Sequence, residues 1–251
     1  YGRVDLVGRS FGVIKFTVDD RTYDVALPRK DRALADSQET SRSHKDFVIE
    51  ADPFLPLEKD LERRDFRCNS LALRLADGKV IDPSNGQADL ERKIIHLTNP
   101  GSFPDDPLRV LRAARFASVL EFDIDREIYL AAKEIDLSGL SVERVNEELF
   151  KILLQSPRPS RGLQEMLKLT VLKQLFPELY RCSLSIQDSY FHPEKDEAGH
   201  HTVWAHLLLS VDQAKIISRL EGLEITRELA LLLAALYHDA GKPATADWEY
   251  K

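Results

Sequence analysis

The strongest constraint on this 251-residue chain is a change of hydrophobic period close to Pro104. Before it, apolar and polar residues alternate as they do along strands. After it, apolar positions recur every three to five residues, as on a helix face. Such a break predicts an α/β part followed by an all-α part, with the likeliest composition boundary near residue 100. In the first part Gly12 to Val18 and Thr22 to Leu27 alternate around Asp19-Asp20-Arg21 and stop at Pro28, the pattern of a hairpin. Arg29 to Asp60 is polar, broken by Pro53 and Pro56 and dotted with Ser37, Thr40, Ser41 and Ser43. We expect a long mobile loop there, with Leu57 to Arg64 turning helical. A second hairpin is expected from Ser70–Leu75, a turn at Asp77-Gly78, and Lys79–Ile81, stopped by Asp82-Pro83.

Beyond Pro104, Asp105, Asp106 and Pro107 mark a helix start, because proline suits the first turn and carboxylates its positive end. Leu108, Leu111, Ala114 and Val119 supply the apolar face. Further helices are expected over Arg126–Ile135, Ser141–Leu154 with Ser141 as cap, Ser160–Leu172, His201–Ile217 and Thr226–Tyr237.

With 43% hydrophobic residues the chain can bury a core, which excludes disordered tails and disulfide knots. Cys68 and Cys182 are distant and form no CxxC, so they argue for a reducing compartment, the cytosol by default. No apolar run nears the roughly 20 residues that span a bilayer, and the N-terminal residues are no signal peptide. A membrane or secreted protein is not expected. Tyr rather than Met at position 1 suggests residues upstream. The net charge of −7 speaks against nucleic acid only if the arginines are scattered, and here they cluster.

One cluster is Arg63-Arg64-Asp65-Phe66-Arg67-Cys68-Asn69. Its guanidiniums could hold a triphosphate in bidentate fashion, leaving Asp65 and Asn69 for ribose hydroxyls. A solvated basic turn would read the same way. The other cluster is Asp105-Asp106-Pro-Leu-Arg109-Val-Leu-Arg112-Ala-Ala-Arg115. Spacings of three put Arg109, Arg112 and Arg115 on one drifting stripe, with Asp106 a turn before Arg109. A carboxylate beside a guanidinium offers acceptors next to donors, as an opposing base does. Cytosine and adenine present a donor beside an acceptor in one order, uracil and guanine in the reverse. The pair would then accept C and A. An amphipathic helix with exposed ion pairs would also carry these residues.

Taken in order, Val7-Gly-Arg-Ser-Phe-Gly-Val-Ile-Lys15, Tyr23-Asp-Val-Ala-Leu-Pro-Arg29, His44-Lys-Asp-Phe with Glu50-Ala-Asp-Pro53, the Arg63–Asn69 run, Ile81-Asp-Pro83 with Asn85-Gly86 and Asp89-Leu90, and Asp106 to Phe116 resemble the bacterial class II tRNA nucleotidyltransferases and poly(A) polymerases. The resemblance runs nearly the whole chain. It implies that Arg64, Asp65 and Asn69 handle triphosphate and ribose, that Asp106 and Arg109 are an amino-acid template for the incoming base, and that Arg112 and Arg115 back the nucleotide. Arg144 and Glu147-Glu148 would shape that pocket. The implied substrates are ATP and CTP with Mg2+, the partner the 3′ end of tRNA or another RNA rather than DNA or a membrane, and the location cytoplasmic. The implied division is a partial palm over 1–100, a helical neck over 101–157, and a helical body with an incomplete HD-like domain over 158–251.

This chain departs from the family pattern in three places. Asp105 stands where the family has Glu. Arg67-Cys68 and Ser70 replace small or β-branched residues. The family's glycine-pair phosphate turn and Asp-x-Asp metal pair belong upstream of Val4, so the chain as it stands is not expected to polymerise. Asp123-Ile-Asp125 has the right letters but follows a helix, where the family has a plain loop, and is read as a decoy. Asp24, on a hairpin strand, is either an accessory carboxylate or an exposed strand residue.

His206 on one helix and His238-Asp239 closing another resemble the HD phosphohydrolase signature, in which imidazoles and a carboxylate hold a divalent metal that activates water. Leu229–Tyr237 is apolar all round, which predicts a buried helix ending in His-Asp. HD proteins usually carry one more Asp further along, and Asp247 lies too close to assign. His192, His200 and His201 are read as loop and cap residues. Three functions are thus expected in turn: an RNA nucleotidyltransferase adding C and/or A, an HD-type phosphohydrolase or 2′,3′-cyclic phosphodiesterase, and a poly(A) polymerase or non-catalytic RNA-binding fragment.

Overall fold

The computed structural model describes residues 3–7, 13–33 and 47–245. The chain forms two compact units, Tyr1–Arg92 with His96–Asp106, and Lys93–Ile95 with Pro107–Lys251. The glycine-containing end of the Val7–Lys15 motif, His44 and Asp247 lie outside the described residues.

In the first unit β1 (Arg3–Val7), β2 (Val13–Val18) and β3 (Arg21–Ala26) form an antiparallel sheet in the order β1-β2-β3. The β2–β3 register pairs Val18 with Arg21, so the turn is Asp19-Asp20 alone. Both aspartates have positive φ, 45° and 60°, as a two-residue hairpin with matching twist requires. The expected loop from Arg29 to Asp60 is instead bounded by paired strands: β4 (Arg29–Ala33) runs antiparallel to β5 (Phe47–Ala51). The polar composition that suggested a loop is compatible with a two-stranded ribbon, because such a pair needs backbone partners more than a buried face.

The first unit continues with α1 (Leu57–Glu62), a 3-10 turn at Arg67–Asn69, the β6 (Ala72–Arg74) and β7 (Lys79–Ile81) hairpin, and α2 (Gly86–Arg92). A Cβ at Gly86 would sit 2.1 Å from the Arg67 carbonyl oxygen, so only glycine lets α2 approach the 3-10 turn this closely. Leu61, Phe66, Leu97 and Phe103 are buried there, and Phe66 bridges to Leu97. A 3-10 turn, Pro100–Asp105, closes the unit.

In the second unit β8 (Ile94–Ile95) pairs parallel with β9 (Asp123–Ile124). Asp123-Ile-Asp125 therefore begins as a strand rather than the plain loop expected. Helix α3 (Leu108–Leu120) ends where Glu121 turns left-handed, and α4 (Arg126–Ala132) and α5 (Val142–Gln155) follow. Ser141 caps α5 as its sequence predicts. The single helix expected over Ser160–Leu172 is two, α6 (Pro159–Lys168) and α7 (Val171–Leu175), because Thr170 adopts φ 63° and breaks the ladder. Then come α8 (Pro177–Leu184), α9 (Val203–Glu221), α10 (Ile225–Tyr237) and α11 (Lys242–Thr245).

Helices α3, α5 and α6 meet at one tight point. Gly162 on α6 donates its N–H to the buried Ser118 hydroxyl of α3, which also bonds Ser156 at 2.7 Å. A Cβ on Gly162 would lie 2.6 Å from Ile152 Cγ2 and 2.7 Å from Ser118 Cβ, so glycine sets this approach. Val203, Leu207, Val211 and Ala214 form the buried side of α9 as expected. Helix α10 differs from expectation: Leu232 and Leu236 are buried, whereas Ile225 and Tyr237 are exposed. An all-round apolar sequence does not bury a helix whose outer face no described element covers.

Candidate functional site

The Arg63–Asn69 run leaves the end of α1 and enters the 3-10 turn. Its arginines have different fates. Arg63 donates twice to Asp60, from Nη2 at 2.8 Å and Nε at 3.0 Å. Arg67 Nε donates to the Leu97 carbonyl. Arg64 is more open than Arg63, its side chain 39% against 26% exposed, with Nη1 donating to the Asn69 carbonyl at 3.1 Å and Nη2 3.7 Å from Asp60. Burial opposes ionisation of Asp60, but hydrogen bonds from Arg63 and the Arg29 backbone and the charges of Arg63 and Arg64 outweigh it, holding the carboxyl below its usual range.

Asp65 and Asn69, expected to be left for ribose, are bonded to each other: Asn69 Nδ2 donates to Asp65 Oδ1 at 3.0 Å, and the Phe66 N–H donates to the same oxygen. Asp65 is also buried. The sequence could not show this, because a four-residue spacing across a 3-10 turn brings the two side chains together. Burial, reinforced by the charges of Asp65 and Asp89, pushes the Cys68 thiol up to about 12, so it stays protonated at neutral pH.

Asp106 is the extended residue ending the Pro100–Asp105 turn, and Arg109 lies in the first turn of α3. Further along α3, Arg115 Nε donates to Glu148 Oε2 of α5 at 2.5 Å, and Arg112 lies 4.0 Å from Glu148. Lys151 also donates to Glu148. The Arg115 guanidinium stacks 4.3 Å from the Phe116 ring centre. Arg115, expected to back a nucleotide, is thus engaged with a buried carboxylate of the neighbouring helix, while Glu147 is exposed and pairs with Lys151.

Asp24 is exposed on β3 opposite Lys15. Asp125 caps α4 by accepting from the Glu127 N–H, and Asp123 pairs with Arg161 at 2.8 Å, so these two aspartates do not form a metal pair. Among the described residues of the first unit no three His, Cys, Asp or Glu side chains gather as metal ligands.

The residues that gather as ligands lie in the C-terminal helices. His206, His238 and Asp239 come together as the sequence suggests. His206 Nε2 faces His238 Nε2 at 3.2 Å, and Asp239 Oδ2 is 3.5 Å from His238 Nε2 and 3.8 Å from His206 Nε2. Two nitrogens bound to one ion at about 2.0–2.1 Å stand some 3.0–3.4 Å apart, so the 3.2 Å separation fits a shared divalent cation. His238 Nδ1 lies 2.9 Å from the Ala235 carbonyl, which only accepts, so that nitrogen carries the proton and Nε2 presents its lone pair.

His192, expected to be a loop residue, and Glu194, which the sequence did not single out, join this cluster. The His192 ring stacks edge-on to His206, 4.8 Å between centres, and Glu194 Oε1 is 3.3 Å from His206 Nδ1. The Phe191-His-Pro-Glu194 spelling was the available signal. Lys242 bonds Asp239 at 2.7 Å and reaches within 3.4 Å of His192 Nε2. Burial, then the charges of Lys242 and His206, lower the His192 pKa. Burial opposes ionisation of Asp239, yet Lys242 and the two imidazoles hold its carboxyl low. His201 bonds the His192 and Glu194 carbonyls and keeps that loop in place.

Residues 2–96 match the poly A polymerase head domain, and residues 121–182 match the probable RNA and SrmB-binding site of polymerase A. The multifunctional CCA protein of Methylobacillus flagellatus is 35% identical over 244 residues, covering 95% of this chain and 53% of that protein. The fold resembles the apo form II of a CCA-adding enzyme, with TM-score 0.66 and 22% identity over 100% of this chain and 54% of that one. It also resembles the Thermotoga maritima CCA-adding enzyme complexed with tRNA, with TM-score 0.60 and 21% identity over 98% of this chain and 53% of that one. The chain thus spans about half the length of the relatives it matches. A segment matching the poly A polymerase head is thus followed by a helical segment matching the probable RNA-binding site of polymerase A. These two segments belong to the poly A polymerase head-domain family and the polymerase A RNA-binding family, and nearly the whole chain is similar to multifunctional CCA proteins. Among its described residues no helix is long and apolar enough to cross a membrane.

Proposed function

We propose that this chain is the base-selecting and RNA-holding part of a cytoplasmic tRNA nucleotidyltransferase that adds C and A from CTP and ATP to the tRNA 3′ end. The observation that carries the reading is the Asp106-x-x-Arg109 pair in a chain whose head and RNA-binding segments match polymerase A. In this reading residues 1–100 form a partial palm, 101–157 a neck and 158–251 a body with HD-like helices. Arg64, more open than Arg63, binds phosphate. Asp65 and Asn69, locked together, present the turn to the ribose. Asp106 and Arg109 present acceptor and donors to the base edge, while Arg112 and Arg115 stiffen that helix through Glu148. Magnesium at the polymerase centre belongs to the whole protein, and the helical part would hold the acceptor stem by shape and phosphate.

The test is incorporation of radiolabelled CTP and ATP by the full-length protein into tRNAs ending at the discriminator, at C and at CC. C should enter the first two and A the last. Incorporation of A alone into all three would assign the chain to the poly(A) branch instead.

The His206, His238 and Asp239 cluster supports a second site on the same chain rather than a rival identity. Its residues would hold a divalent cation, which when bound activates water toward a phosphate ester such as a 2′,3′-cyclic end.

A further inference from the structure

Glu194 precedes α9 in sequence and touches its first turns. Its Oε1 lies 3.3 Å from His206 Nδ1, while its Oε2 is buried with no hydrogen-bond partner, so the carboxylate's side-chain hydrogen bond is the one to His206. A carboxylate only accepts, which places the proton of His206 on Nδ1 and leaves Nε2 as a lone pair. The Ala235 carbonyl imposes the same tautomer on His238. With Nδ1 so engaged on each ring, the two Nε2 atoms face one another across 3.2 Å, a separation that a shared divalent cation would bridge. The Glu194–His206 contact thus does for one ring what a backbone carbonyl does for the other.

We propose that Glu194 is the positioning residue of the C-terminal cation site, fixing the tautomer and ring orientation of His206 so that Nε2 faces the ion together with His238 and Asp239. This rests on the reading of those three residues as a divalent-cation site. Glu194 acts through His206 and contributes no ligand atom.

Titration with Co2+ alone, followed by visible absorption and calorimetry, tests the assignment on the full chain, with circular dichroism confirming that each variant is folded. Wild type should take up Co2+, and His206→Ala should lose it. Glu194→Ala should bind roughly 10–100-fold more weakly. Glu194→Gln, whose side-chain oxygen still accepts from Nδ1–H, should recover part of that loss without shifting the Co2+ absorption bands. In water, proton NMR of the Co2+ form should show a shifted exchangeable N–H from His206 that Glu194→Ala removes. Unchanged Co2+ affinity in Glu194→Ala would overturn the role of Glu194 and leave the cation site standing. Absorption bands shifted in Glu194→Gln would make Glu194 a ligand, against the proposal. A wild-type chain that binds no Co2+ would overturn the cation site itself.

Discussion

Arg115 on α3 and Glu148 on α5 form a 2.5 Å charge-assisted hydrogen bond across two helices, with the carboxylate side chain 3% exposed. The same carboxylate receives Lys151 and lies 4.0 Å from Arg112. It therefore ties the helix that carries Arg109 to its neighbour, and the tie is electrostatic in a place where water cannot replace a missing partner. Glu148→Ala should strand the Arg115 guanidinium and cost about 3–5 kcal/mol in stability. Arg115→Ala should cost a similar amount. The double variant should lose less than the sum, and chemical denaturation of the four proteins measures the coupling.

Lys215 is a second buried charge, 2% exposed on α9. Its ammonium donates to the Leu153 and Leu154 carbonyls at the end of α5 and to Glu228 of α10 at 2.6 Å. Three helices converge on one side chain. Lys215→Met keeps the volume but strands Glu228 and two helix-end carbonyls, and should lower stability by about 3–5 kcal/mol. Lys215→Met with Glu228→Leu should regain much of this, since the stranded carboxylate is gone, and thermal melts of the three proteins measure both changes.

The low carboxyl pKa of Asp60 sets a direction for pH. A carboxyl held below its unfolded value of 3.8 contributes stability that is fully present above that value and is lost as pH falls through the folded one. Wild type should therefore exceed Asp60→Asn in stability at pH 5 and above, and the gap should shrink below pH 3.8. Acid titration of both proteins by fluorescence reads the two curves directly.

The period change at Pro104 and the caps at Ser141 were legible because both are local: spacing and hydroxyl chemistry decide them within a turn. What escaped was set by long-range contact. Thr170 breaks a helix whose apolar period continues through it, since the period records burial and not φ. The strand at Asp123 forms because Ile94–Ile95 lies beside it, a pairing no window of residues contains. Within the sites, His206, His238 and Asp239 could be found from the His-Asp doublet, whereas Glu194 enters through a loop folded back on α9. Arg115 shows the converse: the resemblance implies that it backs a nucleotide, and its contact with a buried acid on another helix is invisible in the local sequence.

The most direct measurement compares incorporation of C, A, U and G nucleotides into a tRNA ending at the discriminator or CC, by wild type and by Asp106→Ala and Arg109→Ala forms of the full-length protein. If these two residues read the base edge, each substitution should erode discrimination of C and A against U and G by about 1–3 kcal/mol while phosphate-dependent binding persists. Selectivity unchanged in both variants, with only a uniform loss of rate, would contradict the account.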